Sequence, residues 1–359
     1  MALSPNYGWT EPDNTGLVKN GAQDMRTLGD AIDASVWNIG FGQAGKNKII
    51  NGDFGIWQRG TSLTYTTSGL NYLADRFFSW TIGTLNITVS RQAFTPGTAP
   101  VAGYESQYFL RNAVTSLSGQ SIQAVGQRIE DARTFAGQTA TFSFYAKADA
   151  SRTYTARVIQ NFGSGGSTEV ATSLGSYSVT TSWQRFSVTV AVPSVSGKTI
   201  GTSSFLMLLL DGPSNTANTL DTWGWQLERG SKATPFQTAS GGSPQAELAM
   251  CQRYCFKVTN DGNDKAIASG GYYASTVFIG TLNFPTMRTA PTGTIVNGTN
   301  YWAIYANSAV DFADTASLSS FTNNCCNIEI GGNVLGVNGF AGQLRTQNTL
   351  ASIILSAEL

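Results

Sequence analysis

The 359-residue sequence contains no histidine, which removes the commonest general base and the commonest zinc ligand together. Most triad hydrolases are excluded on that ground. Charge is scarce as well: Asp, Glu, Lys and Arg make up 12% of the chain, about half of the roughly 25% usual in soluble proteins. The 22 basic and 22 acidic residues cancel, so neither nucleic-acid binding nor attraction to anionic lipid is expected. No run approaches the ~18 apolar residues of a membrane span, and Met1 to Pro5 lack the basic and apolar regions of a secretory signal. The expectation is a protein made in a cytoplasm, with no signal peptide and no membrane insertion. The cysteines, Cys251, Cys255 and the adjacent Cys325 and Cys326, form no CxxC motif and read as reduced, partly buried thiols.

What is present is polar and β-forming. Apolar residues, 41% of the chain, suffice for real cores, and the length allows two or three domains. The surface is rich in hydroxyls and amides and carries no net charge. Such a surface self-associates unless its sticky faces are already buried, which points to a constitutive oligomer.

Residues 4–16 place Pro5, Gly8, Pro12 and Gly16 around Tyr7 and Trp9, an extended arm with two aromatic anchors. A helix is expected from Asn14 to Asn38. Val18, Met25, Ile32 and Ile39 fall seven apart, with Ala22, Leu28 and Val36 on the intermediate turns. The stripe reads equally as a helix packed on its own domain or as a short trimerising heptad. Its place between an arm and the Gly-rich segment 40–46 favours the second.

From Ile49 onward the reading is almost wholly β. Strands are expected at 85–92, 104–112, 121–130, 139–147, 153–160, 176–180, 184–192, 203–210 and 222–228, with one helical turn near 129–135. Phe142, Phe144 and Ala146 point one way, as do Phe186, Val188, Val190 and Val192, the period of two of a half-exposed sheet. Strands so spaced, between Gly, Ser, Asn and Thr turns, imply a jelly-roll sandwich. Its two ends, around Gly52 and around Trp223 to Glu228, are expected to be neighbours, because each sets large apolar side chains beside Gly. Residues 237–244 read as a flexible linker. Beyond it come two helical turns at 245–250 and strands at 251–258, 266–269, 275–284, 292–296, 301–306, 327–330, 334–337 and 350–356, enough for a second, smaller β-sandwich.

At Asn51-Gly52-Asp53-Phe54-Gly55-Ile56-Trp57-Gln58-Arg59-Gly60-Thr61 and Tyr72-Leu73-Ala74-Asp75-Arg76-Phe77 the chain resembles a family of bacteriophage tail-fibre and appendage proteins. The likeness continues through residues 142–148, 183–188 and 226–236 and ends in Cys251-Gln252-Arg253-Tyr254. Tyr7 to Asn14, with the following helix, looks like the attachment segment of such fibres. The resemblance implies a non-enzymatic virion component, usually trimeric, whose N-terminus docks on the tail and whose distal part meets the host surface. The central fold it implies is similar to the jelly-roll of carbohydrate-binding modules. In that wider group a calcium ion often lies between the first and last strands. Asp53 and Asp221 are the counterparts here, thin support for a six- to eight-oxygen site, and no metal or cofactor is expected.

The expected division is a tail-attachment arm and trimerising helix at 1–46, a jelly-roll at 47–238, a linker at 239–243 and a distal receptor-binding β-sandwich at 244–359. Attachment and trimerisation fall to Tyr7, Trp9, Val18, Met25, Leu28, Ile32 and Ile39. Glycan contact is expected where rings stand beside Gly, Asn or Thr: Tyr272, Tyr273, Tyr301, Trp302 and Tyr305, of which alternation lets only one set face solvent. Core packing or trimer burial explains the same rings without a ligand. Arg59 with Asp75 and Arg76 reads as an Arg–Asp lock between loops or as a binding constellation. Trp223 and Trp225 read as a buried pair. A polysaccharide depolymerase would have to use carboxylates alone, such as Asp211 with Asp221 or Asp311 with Asp314. No motif surrounds these pairs and no repeat of ~20–50 residues is present. The reading is a phage tail fibre that binds host-surface polysaccharide, with tail or baseplate proteins and its own copies as partners. The alternative is a structural tail or baseplate protein that binds only virion neighbours.

Overall fold

The computed structural model describes residues 2–4, 9–11, 20–39, 44–101, 104–259 and 263–359. At the N-terminal end β1 (Ala2–Leu3) and β2 (Thr10–Glu11) pair antiparallel. Ser4 fastens them, its N–H donating to Trp9 O and its Oγ accepting from Trp9 N–H, both at 2.9 Å. The described residues of the expected arm thus include two short antiparallel strands. Helix α1 (Gly21–Ile39) lies against β2. Residues 14–19 of the expected helix, and with them Val18, lie outside the described residues, as do Tyr7 and the side chain of Ile39.

The first sandwich contains β3 (Ser62–Tyr65), β4 (Gly69–Tyr72), β5 (Phe77–Ala93), β6 (Tyr108–Glu130), β7 (Thr139–Ala148), β8 (Arg152–Asn161), β9 (Val170–Val179), β10 (Gln184–Ala191), β11 (Phe205–Asp211) and β12 (Asn218–Arg229). Its two layers share their longest strands. One layer runs β10-β7-β12 onto the first half of β6, and the other runs β9-β8-β11 onto its second half. β5 follows β6 through both layers, with register shifts after Ile82 and Asn86 and Gly83 at φ 108°, so the sheet turns a corner by bulging. Two strands were expected where β6 is one. Its Ser- and Gly-bearing middle reads as a turn, yet pairing with β5 continues on both sides of it, across the register shift between Ser118 and Ile122. The turn near 129–135 is irregular and not helical.

Alternation fills the space between the layers. Phe142, Phe144 and Ala146 are fully buried with Ile87, Leu206, Leu208, Trp223 and Trp225. The two ends of the sandwich do meet: Trp225 N–H donates to Gly52 O at 3.0 Å, and a Cβ on Gly52 would stand 2.2 Å from Trp225 O. Asn47 seals the seam, its Nδ2 donating to the carbonyls of Trp225 and Gln237 and its Oδ1 accepting from the N–H groups of Ile49 and Leu227. That uses the whole amide.

Residues 239–243, expected to be a flexible linker, are part of this seam. Ala239 and Ser240 are 3% and 7% exposed; Gly45 N–H donates to Ala239 O at 2.7 Å and Ser240 N–H to Glu247 at 2.8 Å. Small residues fit a tight seam as well as they fit a loop, and composition cannot tell the two apart. Helix α2 (Pro244–Gln252) follows, capped by Ser243 Oγ on Ala246 N–H.

The second sandwich faces a three-stranded sheet, β13 (Cys255–Lys257), β22 (Ser352–Ser356) and β16 (Thr292–Val296), with a seven-stranded one. The latter runs β18 (Ala309–Ala313), β17 (Trp302–Ala306), β21 (Ala341–Thr346), β14 (Lys265–Ala274), β15 (Val277–Asn283), β20 (Cys325–Gly331) and β19 (Thr315–Ser319). β18, β19 and β21 were not legible beforehand, while 334–337 is a loop. Phe278, Trp302, Ile304, Ile328, Leu344 and Ile353 are fully buried between the sheets. Among the described residues the fold is mainly β, two sandwiches with two helices. Among the described residues no helix is long and apolar enough to cross a membrane.

Candidate functional site

Three of the blocks that carry the resemblance, 51–61, 72–77 and 251–254, meet at the joint between the sandwiches. Asn51, Phe54 and Arg76 hold positive φ of 60°, 55° and 70°, a region that non-glycine residues rarely occupy. Asn51 ties these turns together, its Nδ2 donating to Ile56 O and Asp75 O and its Oδ1 accepting from Ile56 N–H. Arg76, 1% exposed, forms an ion pair with Glu358 of the second sandwich and lies 3.4 Å over the ring of Tyr254. Arg59 meets the same carboxylate at 3.1 Å. Gln58 donates to Cys255 O and accepts from Lys257 N–H, and Arg253 pairs with Glu130 at 3.0 Å. The expected lock exists with a different partner. Asp75 is held by Gln58, and Arg76 reaches across domains to Glu358. Burial pushes the Asp75 carboxyl up to about 6, with Arg59 pulling the other way.

Where the first sandwich closes beside α2, a cleft of about 530 Å³ opens. Asp53 and Gly55 come from the strained turn, Tyr104, Glu105, Ser106, Gln107 and Tyr108 from the approach to β6, and Thr238, Ser243 and Glu247 from the seam and α2. Tyr104 is braced by Trp223 and Phe236, with ring centroids 5.5 and 5.6 Å away. Ser106 Oγ accepts from Trp223 Nε1 at 2.6 Å. Tyr108 carries the Arg91 guanidinium 4.2 Å above its ring. Glu247, 4% exposed, accepts from Asn51 N–H and Ser240 N–H at 2.6 and 2.8 Å. Burial, and then the nearby Glu247 charge, push Asp53 up to about 6. Burial raises the Tyr104 phenol further still, helped by Asp53 and Glu247. Rings, hydroxyls and carboxylates thus share one open pocket, a combination suited to binding a polyol. Sequence reasoning missed it because four separated segments build it.

The ring set expected to bind glycan is split by the second sandwich. Trp302 is fully buried, its Nε1 donating to Asn297 Oδ1 at 2.9 Å. Tyr272 is 4% exposed, with its hydroxyl on Asp311 at 2.8 Å. Both are core residues, which corrects their assignment to a ligand: each lies on the face that the three-stranded sheet covers. Tyr301 is partly buried, and Tyr305 is partly buried beneath Arg345, 4.4 Å above its ring. Tyr273 stands free, 75% exposed.

The carboxylates weighed for catalysis are engaged. Asp211 pairs with Arg157, Asp221 with Arg111 and Lys147, Asp311 takes Tyr272 and Leu335 N–H, and Asp314 takes Asn300 N–H. Asp221 is therefore committed to cations, not poised with Asp53 for calcium, and no cluster suited to a metal occurs among the described residues. All four cysteines are free, and Cys251, Cys255 and Cys326 are buried.

Family models give no match, and neither do curated proteins. Solved structures do. A family 11 carbohydrate-binding module from Clostridium thermocellum, in complex with a mixed-linked tetrasaccharide, is 13% identical over 46% of this chain and 99% of its own, with a TM-score of 0.29. The N-terminal cellulose-binding domain of a Cellulomonas fimi glucanase is 17% identical over 48% of this chain and 91% of its own, at 0.28. Tailspike protein 4 of bacteriophage CBA120, in its enzymatically active domain, is 14% identical over 51% of this chain and 21% of its own, at 0.32. The chain is similar to these over about half its length.

Proposed function

We propose that the chain is a bacteriophage tail-fibre protein, a virion component that binds host-surface polysaccharide without cleaving it, joins the tail or baseplate through residues 1–46 and works as a homotrimer. The observation that carries glycan binding is the cleft beside α2. Its phenol rings offer surfaces for sugar rings, and Gln107 and Asp53 offer partners for hydroxyls. Binding without cleavage is supported by the engagement of the candidate catalytic carboxylates with cations and backbone groups.

The oligomer rests on α1, where Met25 and Ile32 are 62% and 37% exposed and Leu28 is partly buried. That stripe is open to symmetry copies. A purely structural role among virion neighbours is favoured by one other feature, the apolar Tyr273, Leu335 and Val337, exposed by 75, 79 and 56%.

Light scattering of the purified chain should give the mass of three copies. Met25→Asp with Ile32→Asp should release monomers, since each chain would bury charge against its copies. A wild-type monomer at micromolar concentration would remove the trimer. Tyr108→Ala should lower adsorption to host cells roughly ten-fold, the loss of one stacked ring, with thermal stability unchanged. Full adsorption by that variant would take recognition away from the cleft.

A further inference from the structure

The cleft carries a charge that the whole chain does not. Asp53, Glu105 and Glu247 line it with no lysine or arginine among the lining residues, in a protein of zero net charge. Glu247 is occupied by two backbone N–H groups and Glu105 by Gly97 N–H at 3.1 Å. Asp53 is held more weakly: Gly55 N–H reaches it at 3.4 Å, beyond the length of a strong bond, and its own N–H is the other backbone donor. The titratable groups that face it, Glu247 from α2 and Tyr104 from the loop before β6, bring no positive charge. The N-terminus of α2 is already taken up by Ser243 and Glu247.

A carboxylate stripped of water with no cation beside it is unfavourable, and a bound cation relieves it. Of the tyrosine walls, Tyr108 already carries the Arg91 guanidinium on its ring and Tyr104 packs on Trp223 and Phe236, so the cation contact falls to Asp53.

We propose that this cleft selects a glycan with a free amino group, a hexosamine unit that is not N-acetylated, whose ammonium sits against the Asp53 carboxylate while its ring lies along the tyrosine walls. This rests on the cleft being the glycan site. It adds a charge preference that the reading alone does not contain: uronic acids are repelled, N-acetylated units lose the ion pair, and free amines gain it. The preference depends on Asp53 being ionised. As pH falls through about 6 Asp53 takes up a proton, while the amino group of the sugar keeps its charge.

Calorimetric titration of the full chain with β-1,4-linked tetramers of glucosamine, N-acetylglucosamine and galacturonate tests this. At pH 6.5, where Asp53 is mostly ionised and the sugar amine still carries its proton, the glucosamine tetramer should bind at least ten-fold more tightly than the N-acetylated one, and galacturonate should bind least. Asp53→Asn should erase the difference between the first two, and so should pH 4.5 with the wild type. Equal binding of the glucosamine and N-acetylglucosamine tetramers, untouched by Asp53→Asn but lost in Tyr108→Ala, would overturn the charge preference and leave the cleft as the glycan site. Binding of none of the three would overturn both. Titration with calcium chloride is the control: calcium bound through Asp53, with no preference among sugars, would make the residue a metal ligand and overturn the proposal.

Discussion

Replacing Arg76 by alanine should uncouple the two sandwiches and cost about 3–5 kcal/mol, the penalty for removing one partner of a buried ion pair. Arg76 is 1% exposed and joined to Glu358, so the truncation leaves a carboxylate in the joint with Arg59 as its remaining cation. The stacking on Tyr254, at 3.4 Å, is lost as well. Because the partners belong to different domains, unfolding should split: the calorimetric transition of the second sandwich should move to lower temperature and separate from the first. Limited proteolysis should then cut in the seam around residues 239–243. Arg76→Lys should recover only part of the loss, since an ammonium keeps the charge but neither the planar fork nor the stacking. A single unshifted transition for Arg76→Ala would show that apolar packing alone holds the joint.

Replacing Trp302 by alanine should unfold the second sandwich rather than trim a ligand contact. The side chain is fully buried among Phe278, Ile304 and Leu344, and such a truncation costs about 3–5 kcal/mol. Asn297 Oδ1 would also lose the indole N–H, keeping Ala316 N–H at 2.9 Å. Near-ultraviolet circular dichroism and thermal unfolding should both show the loss. Any fall in host adsorption by this variant should therefore track the fraction unfolded. Tyr273→Ala, at a side chain 75% exposed, should stay within about 0.5 kcal/mol of the wild type. A Trp302→Ala protein with native stability and weakened adsorption would return that ring to the binding surface.

Much of the fold was legible because its signals are local. Period-two alternation at Phe142, Phe144 and Ala146 marked both a strand and its buried face. The two helical turns expected at 245–250 fall within α2. The seven-residue spacing of Met25 and Ile32 marked a helix with one apolar side. The close approach of Gly52 to Trp225 was legible from glycines among large apolar residues. The lack of histidine and of net charge bounded the chemistry without any structure.

Tertiary structure decided the rest, for one physical reason: alternation says that a strand has two faces and not which of them a second layer covers. Trp302 and Tyr273 look alike in sequence, and only the three-stranded sheet packed on one side makes the first a core residue and leaves the second in solvent. β6 reads as two strands because its middle is rich in turn formers, and pairing with β5 makes it one. The polar seam 239–243 reads as a linker until Gly45 and Glu247 meet its backbone. Arg76 and Glu358 are 282 positions apart, and Asp53 meets Glu247 only because α2 docks on the turn and seam of the first sandwich. Such pairings depend on how separate layers dock, a balance of burial and charge that no short window of sequence contains.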